Sequence, residues 1–116
     1  MDRLWNKTVT VYRRADAQVQ RQVVRCCHLE KEDVQKLTAG GTRLQRRFFL
    51  AVPGSAGELL AGDRIFAGIG PEVSLAQWNT FTPARVPELM EAAYAKPYYI
   101  AGVLHHTEAG RRASDD

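Results

Sequence analysis

Cysteine is scarce in this sequence, and its two copies are neighbours, Cys26 and Cys27. Adjacent cysteines enclose almost no chain between them, so they cannot staple a fold as widely spaced pairs do. Such usage is typical of proteins that fold in a reducing compartment. The valine-rich stretch around them predicts buried, inert thiols, and the fold must depend on its own hydrophobic core.

Long hydrophobic runs are also missing. No stretch approaches the roughly 20 apolar residues that a membrane-spanning helix needs, and the first residues lack the apolar core of a secretory signal. We therefore expect a soluble protein made in a cytoplasm, with no membrane partner. The net charge is only +3, which permits contact with nucleic acid but does not indicate it.

Catalytic and cofactor-binding motifs are the third absence. The sequence has no Gly-x-Ser-x-Gly element, and its glycine-rich segments match neither a P-loop nor a dinucleotide-binding fingerprint. Cysteine and histidine, the residues that usually bind zinc, occur in Cys26-Cys27-His28 and in His105-His106. Neighbouring cysteines on a strand face opposite ways, however, and cannot bind the same ion. We therefore expect no enzyme activity, no cofactor and no metal.

Size and composition bound what remains. At 116 residues the chain is large enough for one modest core and too small for two. With 45% hydrophobic and 25% charged residues, it has the composition of an ordinary globular domain, which excludes disorder of the whole chain. We predict one β-rich domain over residues 1–107 and a flexible, charged tail over residues 108–116.

Near its start the sequence alternates threonine and valine, both β-branched residues. Residues 8–11 read Thr-Val-Thr-Val, the period-2 pattern of a strand with one face buried and one face wet. We predict a strand over residues 7–13, a turn near residues 15–17 and a second strand over residues 19–29. Residues 30–39 are polar and fit either a short helical turn or a mobile loop.

The second half is interrupted by glycine and proline. We predict a core strand over residues 42–52, then a loop-rich region over residues 53–71 that contains one short strand at residues 63–68. Pro87 and Glu88 suit the first turn of a helix and begin an apolar pattern at helical spacing, which predicts a helix over residues 87–95. A closing strand is predicted over residues 96–107.

Taken together, these elements predict a mainly β fold. Four to six strands, one short helix and long glycine-rich loops indicate a small β-barrel or β-sandwich. No internal repeat is visible.

Three short motifs in fixed order resemble a known family. They are the stretch from Asn6 to Tyr12 (Asn-Lys-Thr-Val-Thr-Val-Tyr), the strand from Phe48 to Pro53, and the turn from Ala61 to Gly68 (Ala-Gly-Asp-Arg-Ile-Phe-Ala-Gly). This set is similar to the minor capsid, head-completion and head–tail connector proteins of tailed phages and prophages of Gram-positive bacteria. The segments around Cys26-Cys27-His28 and residues 82–95 depart from that pattern.

The resemblance implies a mechanical role. Copies would form a homo-oligomeric, stopper-like ring at the head–tail junction of the virion, extend the portal channel, help retain packaged DNA and dock the tail. Partners would be the portal or adaptor protein and tail proteins of the same phage, with non-specific contact to DNA phosphates and assembly in the host cytoplasm. A ring subunit needs two different contact surfaces that close by rotation.

Glycines and aromatic residues in the loops mark the expected contact positions, because they let loops rearrange or anchor a neighbour. The candidate ring-contact or channel positions are Lys36, Gly40, Gly41, Arg43, Gly54, Gly57, Trp78 and Phe81. For Trp78 and Phe81, the competing interpretation is an aromatic residue that caps the core.

Arg46 and Arg47 are the candidate contacts to the DNA backbone. Solvated or interface arginines are the competing interpretation for this pair. A tail-completion or tail-terminator protein cannot be separated from a connector by these motifs. A small nucleic-acid-binding barrel of the oligonucleotide-binding type also stays open, because such barrels combine basic grooves with stacking aromatics.

Overall fold

A computed structural model describes residues 5–115, and these form a mainly β protein. Its strands are β1 Lys7–Ala15, β2 Gln18–Thr38, β3 Gly41–Pro53, β4 Arg64–Ala67, β5 Leu89–Glu91, β6 Tyr94–Ile100 and β7 Val103–Arg111. Short 3-10 turns occupy Gly54–Ala56, Leu75–Thr80 and Ala113–Asp115. Residues 1–4 and Asp116, which belong to the predicted domain and tail ranges, lie outside the described residues.

All seven strands join one antiparallel sheet in the order β5-β4-β1-β2-β3-β7-β6. The long strand β2 belongs to both halves of it: its first part pairs with β1 and its second part pairs with β3. The change of partner occurs at a β-bulge. Val9 pairs with Val24 and Lys7 pairs with Cys27, so β2 has one more residue than β1 between these two pairs. Cys26 lies in the bulge with φ of 61°, so the strand bends and the two halves of the sheet face each other.

The two edge strands of the sheet are consecutive in the chain. Only Ala92 and Ala93 separate β5 from β6, and their amides donate to the carbonyls of Asp63 and Gly110 on opposite sides of the gap. The sheet therefore curls back on itself as a small sandwich that is nearly closed into a barrel.

The main core fills the space between the two half-sheets. It contains mostly aliphatic side chains from every part of the sheet: Val9, Val11, Val24, Cys27, Phe48, Leu50, Val52, Leu59, Ile65, Met90, Ala92 and Ala109. Because both halves of the sheet contribute, the core depends on the bend of β2.

The outer face of β1 is also buried, although the alternation predicts a wet face. The Thr10 hydroxyl donates to the Gly68 carbonyl and accepts from the Gly70 amide, and the Tyr12 hydroxyl donates to the Pro71 carbonyl at 2.7 Å. The loop after β4 therefore lies across this face, where Tyr12, Phe81 and Leu89 form a second small core. Burial raises the pKa of the Tyr12 hydroxyl.

The predicted helix over residues 87–95 is wrong. Residues Leu89–Glu91 form strand β5, which pairs with β4, and Leu89 and Met90 are buried in different cores. Apolar neighbours that both need burial fit a strand covered on two sides, and this pairing overrides the local helical spacing.

Three predicted boundaries are also corrected. Residues 30–38, predicted as a turn or loop, continue β2 because β3 supplies a full antiparallel ladder for them. The predicted closing strand over residues 96–107 is a hairpin, since Ala101 and Gly102 adopt positive φ and reverse the chain. The predicted tail from residue 108 contributes to β7 as far as Arg111, because that segment pairs with Phe48 and its neighbours on β3.

Arginine side chains fasten the loops to the sheet. Arg13 on β1 forms a bidentate ion pair with Asp63, with both N–O distances 2.7 Å, and the Leu60 amide donates to the same carboxylate. Asp63 is 1% exposed, so its charge depends on these donors. The hydrogen bond to Asp63 raises the pKa of Arg13.

Removing the Arg13 side chain should destabilise the fold. We expect Arg13→Ala to lower the free energy of unfolding by about 2 kcal/mol, between the values for exposed and fully buried ion pairs, because the buried Asp63 carboxylate loses its partner. Urea denaturation measures the change. The exposed neighbour Arg14 is the matched control, and Arg14→Ala should stay within about 0.5 kcal/mol of the parent. Equal effects of the two substitutions would contradict this role.

The thiol of Cys27, at the bend of β2, predicts that the stability of the fold depends on pH. Burial raises the pKa of the Cys27 thiol from 9.0 to about 12, so the folded state favours its neutral form. The stabilisation is fully present below pH 9 and is lost as the pH rises toward 12. Unfolding measured from pH 7 to pH 10.5 should show a steeper loss for the parent than for Cys27→Ala, and equal slopes would contradict this role of the thiol.

Candidate assembly interface

The hairpin formed by the second part of β2 and the first part of β3 projects beyond the core. We call residues 30–47 the arm. Within the described residues, the backbone ladder of β2 beyond residue 28 runs only to β3, and that of β3 before residue 48 runs only to β2. The arm is therefore a two-stranded ribbon with two open edges, which gives little stability in water by itself.

One face of the arm continues the face of β3 that lines the core. Phe48, Leu50 and Val52 are buried on that face, and period-2 alternation places Leu44 on it farther along β3. Leu37 on β2 lies on the same face, because its partner Thr42 is two residues from Leu44. Leu37 is 85% exposed and Leu44 is 47% exposed, so two apolar side chains lie on this face past the end of the core, separated from it by the polar pair Asp33 and Arg46.

The base of the arm is bonded to the segment around β5. The Arg46 guanidinium donates to the carbonyls of Val86 and Leu89 at 2.7 and 3.0 Å, and Lys31 forms an ion pair with Glu88. These bonds tie the base of the arm to the segment before β5. Toward the tip, Lys36 donates weakly to a carbonyl near the C-terminus at 3.3 Å.

A second exposed apolar group lies on the hairpin between β6 and β7. We call Tyr99, Ile100 and Val103 the hairpin patch; their exposed fractions are 55%, 62% and 68%. Ile100 pairs with Val103 and Tyr99 pairs with Leu104, so Tyr99 lies on the opposite face of the hairpin from the other two. The Tyr99 hydroxyl donates to the Glu58 carboxylate, which raises the pKa of Tyr99 and brings an acid to this end.

The arm tip and the hairpin patch lie at opposite ends of the same half-sheet. Strand β3 runs from the arm tip at Gly41 to Pro53, and Pro53 pairs with His106 of β7. Because β7 is antiparallel to β3, Val103 lies beyond the Pro53 end. The molecule is correspondingly elongated, with a longest extent of 48 Å.

The predicted contact positions do not form one site. Lys36, Gly40, Gly41 and Arg43, all predicted as contact positions, lie toward the tip of the arm. Gly40 and Gly41 provide the turn, which the Thr38 hydroxyl closes by donating to the Gly41 carbonyl at 2.8 Å.

Gly54 and Gly57 lie near the other end, where β3 leads into a 3-10 turn. A Cβ atom at Gly54 would overlap the carbonyl of Leu104 on β7, whereas nothing lies within 4 Å of a Cβ built at Gly57. Gly57 has φ of 79° and its amide donates to the Gly54 carbonyl. Gly54 therefore serves close backbone packing, and Gly57 serves the turn.

Phe81 is a core residue, so the alternative interpretation as a core-capping aromatic is the correct one. It is 7% exposed and meets the Tyr12 ring edge-on at a centroid distance of 4.7 Å. Trp78 packs against the same small core, and the Arg64 guanidinium lies 3.7 Å from its ring centroid. Burial lowers the pKa of Arg64, which donates to the carbonyls of Trp78 and Phe81.

Arg46 and Arg47 are both engaged within the chain. Besides its two carbonyl acceptors, Arg46 approaches Asp33 at 4.0 Å, and Arg47 donates to the buried Gln45 side chain at 2.7 Å. Their alternation on β3 directs them to opposite faces. Arg46 thus fastens the arm to the body of the protein, a role that neither of the interpretations from the sequence included.

The histidine and cysteine residues do not assemble into a metal centre in the part of the chain that the structure describes. No group of three or more His, Cys, Asp or Glu side chains converges there. Cys27 is buried in the core and Cys26 is half-buried in the bulge. The His105 and His106 rings contact each other, and His106 stacks on Tyr98 at a centroid distance of 4.7 Å.

An open cleft of about 620 Å³ lies beside the arm. Leu44 and Arg46 line it from the arm, and Pro83, Ala84 and Glu91 line it from the segment around β5. Among the described residues that line the cleft, Glu91 is the one carboxylate and none is histidine, cysteine or serine, so no histidine-based nucleophile–base pair converges there.

The hairpin patch was missed at the sequence level. The signal that could have found it is Ala101-Gly102 between two alternating runs, a small-residue pair that suits a two-residue turn with positive φ. Treating residues 96–107 as one strand placed this turn in the middle of the strand and concealed the exposed end.

Comparison with known proteins gives no relative: no family model, no curated protein and no solved structure matches this chain. Within residues 5–115, no helix has the length and apolar character required to cross a membrane.

Gly54 and Gly40 should respond differently to substitution by alanine. Gly54→Ala should lower the free energy of unfolding by more than about 2 kcal/mol, because the added methyl group meets the backbone of β7. At Gly40, a Cβ has nothing within 4 Å, so Gly40→Ala should change stability by less than about 0.5 kcal/mol. Thermal and urea unfolding of both variants test this difference. A stable Gly54→Ala protein would show that the close approach to Leu104 does not constrain the fold.

Proposed function

We propose that this protein is a structural subunit of the head–tail connector of a tailed phage or prophage. In this role copies form a stopper-like ring that extends the portal channel, helps to retain DNA and presents a surface for the tail. The family resemblance of the strand and turn motifs supports the proposal. The observation that carries it furthest is the pair of projecting hairpins, each with exposed apolar side chains, at opposite ends of the same half-sheet.

Ring assembly requires two different surfaces on each subunit, because a head-to-tail contact joins unlike patches and closes only by rotation. The arm and the hairpin patch differ in sequence, charge and position, as such an assembly needs. Loops and hairpins that reach out from a rigid β body are also a common way to contact neighbours. The fastened base of the arm supports this, since it keeps the arm in a defined direction.

The role as a connector is tested by assembly on its partner. We expect the purified chain to form closed rings in negative-stain images and to bind the portal protein encoded in the same genome, as detected by co-sedimentation. Portal, capsid and tail genes beside its reading frame would add support. Rings that bind isolated tails but not the portal would favour the tail-terminator alternative.

The nucleic-acid-binding alternative predicts a different result. A monomer that binds single-stranded DNA with micromolar or tighter affinity, and with a steep loss of affinity as salt increases, would contradict the connector proposal and favour the barrel alternative. Filter binding over a range of salt concentrations measures this.

A further inference from the structure

The cleft beside the arm follows the open edge of β3. Five consecutive residues of this strand, from Thr42 to Arg46, line it, and Pro83, Ala84, Glu91 and Arg111 line it from the other side. Because the side chains of a strand alternate between two faces, consecutive residues can line one cleft only along the edge of the strand. We call this cleft the edge slot; the backbone beside it is roughly 17 Å long.

Backbone groups of β3 point into the edge slot. Thr38 pairs with Gly41 across a two-residue turn, so these two residues exchange hydrogen bonds, and every second residue of β3 from Gly41 onward bonds to β2. The residues between them, Thr42, Leu44 and Arg46, therefore direct their N–H and C=O groups to the other side. Among the described residues, the ladder between β3 and β7 begins only beyond the arm, so no strand pairs with these three.

The chain does not continue β7 along the edge slot. After Arg111 it enters the 3-10 turn Ala113–Asp115, and this segment meets the arm through Gln45 and Lys36, whose side chains donate to its carbonyls. Both side chains lie on the face of the arm opposite Leu44. Within the described part of the chain, no residue after Arg111 lines the edge slot, so the position of an added strand beside β3 is open.

The two sides of the edge slot differ in polarity. On the side of Leu44, Pro83 and Ala84 supply apolar surface. On the other side, Arg43 lies directly opposite Lys36 in the ribbon. Like charges in such a cross-strand pair are unfavourable, so an acidic side chain beside them is favoured. A strand with alternating apolar and acidic residues would match both sides.

Positive charge also dominates the lining of the edge slot. Arg43, Arg46 and Arg111 line it, and Glu91 is the one carboxylate among the described lining residues. Arg46 and Arg111 donate to backbone carbonyls. These acceptors are neutral, so they satisfy the donors and leave the charge of each guanidinium in place. The electrostatic complement of the edge slot is therefore an acidic segment.

We infer that the edge slot binds an extended acidic segment of a partner protein as an added strand, antiparallel to β3 and in line with β7. Residues directly opposite Thr42, Leu44 and Arg46 would be apolar and would exchange backbone hydrogen bonds with β3. The residues between them would be acidic and would lie on the side of Arg43. The inference goes beyond the proposed connector function and does not depend on it, because a monomer and a ring subunit offer the same edge.

Two N-methylated peptides test strand addition on the unaltered protein. The probe is the fluorescein-labelled peptide Asp-Val-Asp-Val-Asp-Val-Asp. In the proposed register its valines lie opposite Leu44 and its neighbours on that face, so the valine amides bond to β3 and the aspartate amides point to solvent. Methylating the valine amides should weaken binding at least about tenfold in fluorescence anisotropy, whereas methylating the aspartate amides should change it less than about twofold. Equal affinities of the two methylated peptides would overturn the inference.

Proline substitutions on the two edges of the arm provide matched variants. Leu44→Pro removes an N–H group that points into the edge slot. Gln35 pairs with Leu44, and Gln35→Pro removes an N–H group that points to the opposite edge. Proline is tolerated where the N–H of an edge strand faces solvent, so both variants should keep the circular dichroism spectrum of the parent. Leu44→Pro should bind the probe at least about tenfold more weakly, and Gln35→Pro should bind it like the parent. Equal binding by these two variants would contradict strand addition.

A peptide with lysine in place of each aspartate tests the charge of the partner. It should bind at least about tenfold more weakly than the probe, and equal binding would reject an acidic occupant. Absence of saturable binding of the probe at concentrations up to about 1 mM would overturn the inference. If the parent self-associates and Leu44→Pro abolishes that association while the probe does not compete with it, the edge slot binds a second copy, and the inference is likewise overturned.

Discussion

The fold depends on the bend of β2 at the Cys26–Cys27 bulge. One extra residue in this strand lets a single segment pair with β1 on one side of the bend and with β3 on the other. The core forms where the two half-sheets then face each other, and Cys27 lies within it. Backbone geometry at the bulge therefore decides the architecture, and the thiol of Cys27 contributes as a small apolar side chain.

Arginine side chains, rather than packed helices, hold the long connections of this fold against the sheet. The long connections around β4 and β5 have little secondary structure, yet Arg13, Arg46 and Arg64 attach them to the sheet through buried or half-buried carbonyl and carboxylate acceptors. A guanidinium can satisfy several such acceptors at once and stays charged when partly buried. The positive composition of the chain thus reflects internal bonding as well as surface charge.

The arm shows how one strand pair serves both stability and interaction. Toward its base, the inner face of the ribbon closes the core with Phe48, and farther out the same alternation exposes Leu44 and Leu37. Extending a core face beyond the core costs little in folding because the ladder continues. It does expose apolar surface, which natural proteins use for contact with partners.

Sequence alternation by itself determined the mainly β class, the first strand, the strand from residue 42 and the short strand after Gly62, because period-2 patterns and glycine turns are local properties. Tertiary structure alone decided the rest. Leu89 and Met90 became a strand because β4 offered a partner, residues 30–38 because β3 did, and Phe81 became core because a loop crossed β1. For the candidate interface, the sequence singled out Lys36, Gly40, Gly41 and Arg43 as contact positions, and only the pairing of β2 with β3 placed them on a projecting hairpin. It could not place the hairpin patch at the opposite end, because the distance between two turns depends on strand pairing across the whole sheet.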